Sequence, residues 1–255
     1  MDAFGILLRK ELNEVWRTRR APVVLALFLV MGMAAPLLAR FTPDIVTAAG
    51  SAALAAAIPT PTAADAVDQF LKLTGQLGAF VAILLAMGAV AGERDRGTAA
   101  LVLTKPVGRG AFLAAKLVAL ALVLLAAAAL AGGMTAVYTA VLFEPLSVAG
   151  IAGAIGLTWL GLLVPATITF LGSVIGRSAV VAAGIGFAWV IAGGVLAALP
   201  GIGPDMPAAL ATQARALALG VPAATGTLAA PLAVSGLVLV VAVTTAWGAF
   251  RRQEL

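Results

Sequence analysis

Residues 117–143 read LVALALVLLAAAALAGGMTAVYTAVLF, an unbroken run without a charge between Lys116 and Glu144. About 20 apolar residues suffice to cross the hydrocarbon core of a bilayer as a helix, so this run predicts a transmembrane span. The same pattern recurs on both sides of it. Upstream, charge-free runs cover 21–39 and 73–92. Downstream, one covers 146–176, with its span placed at 150–176, and another covers 179–199. The stretch 216–250 is also uncharged, but Pro222 and Pro231 interrupt it, which places the last span at 230–249. Pro145 and Pro200 stand where helices end. The expected fold is therefore all-α: a polytopic membrane protein of six transmembrane helices.

The composition of the whole chain agrees. Its 255 residues are 62% hydrophobic and 11% charged, with a mean hydropathy of +1.11. Soluble domains carry roughly 25% charged residues, and disorder requires low hydrophobicity with high charge. Both classes are excluded. The absence of cysteine and histidine removes thiolate chemistry, the commonest metal ligand and the commonest general base. The first apolar run does not read as a cleavable signal peptide, because five basic residues precede it and no clear small-residue cleavage site follows its start.

Placing the charges resolves the net +5. With the N-terminus inside, 13 of the 16 Lys and Arg face the cytoplasm and only Arg40, Lys72 and Arg215 lie outside. Against them stand six acidic residues inside and five outside, giving +7 and −2. The surplus is a topology signal with attraction to anionic membrane lipid, not a nucleic-acid surface. Residues 45–58 are apolar too, but at fourteen positions they predict an interfacial or re-entrant segment. A seventh crossing there would expel the basic 93–116 loop to the outside.

Residues 1–20 predict an amphipathic interfacial helix ahead of the membrane domain, 21–255. Phe4, Leu7, Leu8, Leu12, Val15 and Trp16 cluster on one side, and Arg9, Lys10, Asn13 and Arg17 occupy the other. Ile6 falls on the polar side and Glu11 intrudes on the apolar arc. Trp16 suits headgroup depth. Such a helix either anchors the first span or serves as an elbow that also supports a cytoplasmic partner. Outside, Thr62 and Asp65 match a helix-capping pattern, and an unbroken helix over 63–92 would be about 45 Å long. Residues 207–220 predict a short interfacial helix that Gly220 stops.

The loop ERDRGTAALVLTKPVGRGAFLAAK, residues 93–116, is the most informative non-span. Thr98 caps a short apolar piece, 99–103, that Pro106 ends. Flanked by charges, that piece belongs either on lipid or in a partner's groove. The spans contain no ionisable residue, which argues against proton coupling, voltage sensing and charged ion filters. No phosphate-binding Gly-x-x-x-x-Gly-Lys-Ser/Thr loop occurs, so active transport would draw its energy from another subunit. Gly88 with Gly92, and Gly172 with Gly176, have the spacing of close helix contacts. Asp65 and Asp68 read as a solvated helix start rather than as paired catalytic acids.

In their order along the chain, Leu8-Arg-Lys-Glu-Leu12, Glu93, Gly97-Thr98, Leu103-Thr-Lys-Pro-Val107, Arg109, Phe112-Leu113, Lys116 and Phe250-Arg-Arg-Gln-Glu-Leu255 resemble permease subunits of the type-2 ABC exporter superfamily. The likeness is to the single-domain bacterial permeases. The resemblance implies that the chain is not itself an enzyme and binds no cofactor, ATP being bound and hydrolysed by a separate ABC ATPase subunit. It implies a coupling helix in the 93–106 region that docks on that ATPase, with Glu93, Gly97, Thr98, Leu101, Leu103, Pro106 and Arg109 as the contact residues. The N-terminal segment would be the elbow helix, with Glu11 near the ATPase. Two permeases, identical or different, would pair around the pathway in the cell membrane, with cytoplasmic termini. The competing class is an ATP-independent scaffold, assembly factor or secondary carrier with the same spans.

Overall fold

The computed structural model describes residues 3–95, 108–176, 178–221 and 228–252, and among these it is built of helices without a strand. Helix α1 spans Ala3–Arg17 and α2 spans Arg20–Ala48. After a short α3, Ala52–Ala57, helix α4 (Ala63–Leu73) runs through a π-helical turn, Thr74–Gly78, into α5 (Ala79–Ala86). Then follow α6 (Ala91–Asp95), α7 (Arg109–Leu142), α8 (Val148–Ile175) and α9 (Ala179–Ala197). The chain ends with α10 (Leu210–Ala218) and α11 (Ala229–Arg251). Six segments are long and apolar enough to cross a membrane: α2, 63–93, 110–142, α8, α9 and α11. The protein is a multi-pass membrane protein. Below, the end of the bundle that carries α1 and the close of α11 is called proximal, and the opposite end distal.

Local chemistry sets several boundaries. Asp65 accepts from the Thr62 backbone N–H at 2.8 Å and from its hydroxyl at 2.7 Å, starting α4 where the capping pattern places it. The Ser147 hydroxyl accepts from the N–H of Gly150 at 3.0 Å and starts α8, and that of Ser178 accepts from Val181 at 3.3 Å and starts α9.

Three expectations change. The helix of the first span extends past 21–39: α2 continues through Arg40, Pro43 and Asp44 to Ala48. Its 29 residues reach about 44 Å, more than a ~30 Å hydrocarbon core requires. Residues 45–58 do not form one segment: 45–48 close α2, and α3 packs separately against it. The 63–92 segment is also not one helix. It passes the π turn and then breaks between Ala86 and Ala91.

Helix α8 sits centrally, packed by α5, α7, α9, α10 and α11. Helix α2 lies against α7 so closely that a Cβ on Gly32 would overlap the Ala131 carbonyl, and Thr135 donates to the Gly32 carbonyl at 3.1 Å. Small residues allow this approach in lipid, where van der Waals packing and hydrogen bonds replace the hydrophobic drive. Of the glycine pairs flagged by spacing, Gly172 and Gly176 pack on Ala182 and Val181, whereas Gly88 and Gly92 have no neighbour within 4 Å of an added Cβ. Phe28, Phe70, Leu124, Ala127 and Leu162 belong to the main core, all buried. Half of the apolar window of 110–142 is buried, but only 17% of that of α9 and 22% of that of α11.

Candidate functional site

Helix α1 packs on α7 and α2 through one edge of its apolar arc. Leu7 and Glu11 are buried, while Phe4 and Trp16 are exposed, Trp16 to 60%. The charge that interrupts the arc is the contact itself. Glu11 Oε2 accepts from Lys116 Nζ at 2.9 Å, and the same ammonium donates to Glu93 Oε1 at 2.7 Å. Lys10 joins from the rim, 3.0 Å from Glu11, 3.1 Å from Glu93 and 3.3 Å from Glu14. The side chains of Lys116, Glu11 and Glu93 retain only 4%, 8% and 4% of their exposure. Charges so deep are tolerated because each faces an opposite one with hydrogen-bonding geometry.

Burial alone would lower the pKa of Lys10, but the adjacent Glu11 and Glu93 carboxylates outweigh it and hold the ammonium well above the ordinary lysine range. Glu11, Glu14 and Glu93 bring carboxylate oxygens within 4.8 Å of one another, a spacing that suits a cation. Lys10 and Lys116 already supply two positive charges to the same carboxylates.

The break in the second crossing aims Glu93 at this cluster. With α5 ended at Ala86, the N–H groups of Val90 and Ala91 have no donor role inside a continuous helix. Both donate instead to Ser173 Oγ of α8, each at 3.0 Å. Ser173 thus acts as an N-cap supplied from another helix. Beside the cluster lies an apolar patch of Val90, Phe112, Leu113, Phe170, Val174 and Phe250. Phe112 stacks on Phe250 with centroids 5.7 Å apart, and Lys116 Nζ lies 5.0 Å from the Phe112 ring centre.

The sequence-predicted residues fall into three groups. Glu11 and Glu93 meet in the buried cluster, and Trp16 points outward from α1. Arg109 is the first residue of α7. Gly97, Thr98, Leu101, Leu103 and Pro106 lie outside the described residues. Lys10 and Ser173 were not singled out from the sequence, and Lys116 was noted only within the loop motif. The usable signal was Glu11 on an apolar arc, which requires a buried cation, and Lys116 is the lysine at the edge of a span.

This arrangement ties both ends of the 93–116 loop to an amphipathic helix on a six-crossing bundle. The chain belongs to the ABC-2 family of transporter proteins, whose family model matches residues 6–203. It is accordingly a transmembrane permease of the ABC transporter class, and the family's members are transport membrane subunits rather than catalysts. The chain is also 27% identical over 223 residues to a transmembrane protein of Bacillus subtilis (strain 168), YxlG, described as uncharacterized, with 86% of each chain covered.

Proposed function

We propose that this chain is the membrane-spanning permease subunit of an ATP-driven exporter in the cell membrane, with both termini cytoplasmic. A separate ABC ATPase subunit binds and hydrolyses ATP and docks on the 93–116 loop, and two permeases, identical or different, pair to form the pathway. The observation that carries this reading is the clamp of Lys116 on Glu11 and Glu93. It joins both ends of the loop and the N-terminal helix into one unit, so a displacement of the loop reaches α1 and α7 together. Coupling requires that the loop bind the open and closed ATPase dimers with different affinity. Within the loop, Gly97, Thr98, Leu101, Leu103, Pro106 and Arg109 supply the contact, Glu93 and Glu11 hold its base, and Trp16 seats the elbow at headgroup depth. The basic excess on the proximal side supports the cytoplasmic assignment.

The test is co-purification of the ATPase from solubilised membranes with wild-type permease and with Leu101→Asp or Leu103→Asp. The variants should lose the ATPase while retaining helical content. Unchanged co-purification removes the docking assignment, and no ATPase binding even by wild type favours an ATP-independent scaffold or a secondary carrier.

A further inference from the structure

At the distal end, two helix irregularities face one space. The π turn Thr74–Gly78 widens the second crossing, a feature that recurs at functional sites. Opposite it, Pro165 in α8 supplies no N–H to the Gly161 carbonyl. Between them lies an apolar cavity of about 310 Å³, lined by Leu71, Gly75, Leu157, Gly161, Trp189 and Gly193 among others. That size is at the lower end of small-molecule pockets, roughly 300–1,000 Å³. Helix α10 roofs it: Leu210 and Ala211 line it, and Leu210 and Ala214 pack with Val67 and Leu157. Thr74, which also lines it, turns its hydroxyl to the Phe70 carbonyl at 2.7 Å, leaving a largely apolar wall with Thr158 as its other hydroxyl.

A second, shallower depression borders the cavity. Leu71, Gly75 and Ala211 line both, and the second adds Asp68, Lys72, Gln76, Thr212 and Arg215. Asp68 is engaged by Arg215 Nε at 2.6 Å. Lys72 is exposed and, among the described residues, carries no ion pair. The rim therefore holds one net positive charge. From Asp68 at the rim to Ala79 at the base of the cavity the chain rises about 16 Å, of which about 9 Å lies within the 73–92 span.

We infer that this cleft is a binding site for a phosphate-headed, acyl-chain amphiphile of the distal leaflet, with the headgroup at Lys72 and Arg215 and one chain in the cavity beneath α10. A charged, net-positive mouth beside an apolar shaft matches that chemistry at both ends. The site is independent of the coupling loop, so its test needs no ATPase.

The full-length permease is reconstituted in phosphatidylethanolamine–phosphatidylglycerol nanodiscs. A trace of phosphatidylglycerol carrying a photoactivatable group at its acyl terminus is added, and adducts are mapped by mass spectrometry. Adducts should concentrate on residues 157–165 and 189–196. A Cβ added at Gly161 or Gly193 meets nothing within 4 Å, so Gly161→Leu and Gly193→Leu fill the cavity from two different helices without a backbone clash. Each should lower these adducts by about tenfold, in the range a changed apolar pocket contact produces. Lys72→Glu should lower them while leaving labelling of α11 unchanged. Adducts unaffected by both glycine variants, or spread evenly over α9 and α11, would overturn the proposal. So would competition by excess inorganic phosphate as strong as the Lys72→Glu effect, since it would reduce the rim to a simple anion site.

Discussion

Lys116 Nζ lies 2.7 Å from Glu93 Oε1 across 23 residues of chain, closing the loop between them inside the bundle. The loop's two ends are thereby held to each other and, through the 2.9 Å contact of Lys116 with Glu11, to α1. Replacing Lys116 with Met should destabilise the protein by up to about 3–5 kcal/mol, because it leaves two buried carboxylates facing only Lys10 at the rim. The further change Glu11→Gln should cost less than the sum of the single effects, since residues in one ion-pair network couple by about 0.5–3 kcal/mol. Thermal unfolding of the purified proteins in detergent measures both.

Ser173→Ala removes the acceptor of two buried N–H groups, Val90 and Ala91. A loss of about 1–3 kcal/mol is expected. Hydrogen exchange should accelerate at residues 90–91 first. Unaltered protection there would show that Ser173 does not hold the break.

At Gly32 an added methyl group would overlap the Ala131 backbone, whereas at Gly88 it would meet open space. Gly32→Ala should cost about 1–3 kcal/mol through overpacking, and Gly88→Ala should stay within about 0.5 kcal/mol. Comparable melting temperatures for the two variants would contradict the close α2–α7 approach.

The Arg215–Asp68 pair is about two-fifths exposed on each side, and exposed pairs contribute roughly 0.2–1 kcal/mol. Asp68→Asn should therefore change stability by less than about 1 kcal/mol, and high salt should erase the difference. Melting curves of both proteins at two ionic strengths decide it.

For Lys10 the folded-state pKa lies above the ordinary value. Its contribution is complete below the unfolded lysine pKa of about 10.4 and is lost only as pH rises through the higher folded value. The stability difference between wild type and Lys10→Met should hence be flat from neutral to mildly alkaline pH. It should shrink only in strong alkali. A difference that vanishes near neutrality would remove Lys10 from the cluster.

Hydropathy by itself determined the all-helical class and the six candidate crossings. The reason is that lipid leaves a spanning chain few options: each crossing must be a long apolar helix that satisfies its own backbone. The Thr62–Asp65 cap was legible for a similar reason, since its partners are three residues apart. Glu11 was legible only as an anomaly, because its meaning depends on Lys116, 105 positions away. The structure decided the pairings that local sequence does not encode. Ser173 caps a helix 82 residues upstream, Gly32 rather than Gly88 makes a close contact, and the π turn at Thr74–Gly78 faces Pro165 across one cavity. Composition and period act along the chain, whereas buried charge, caps between helices and cavities arise only where separate helices meet.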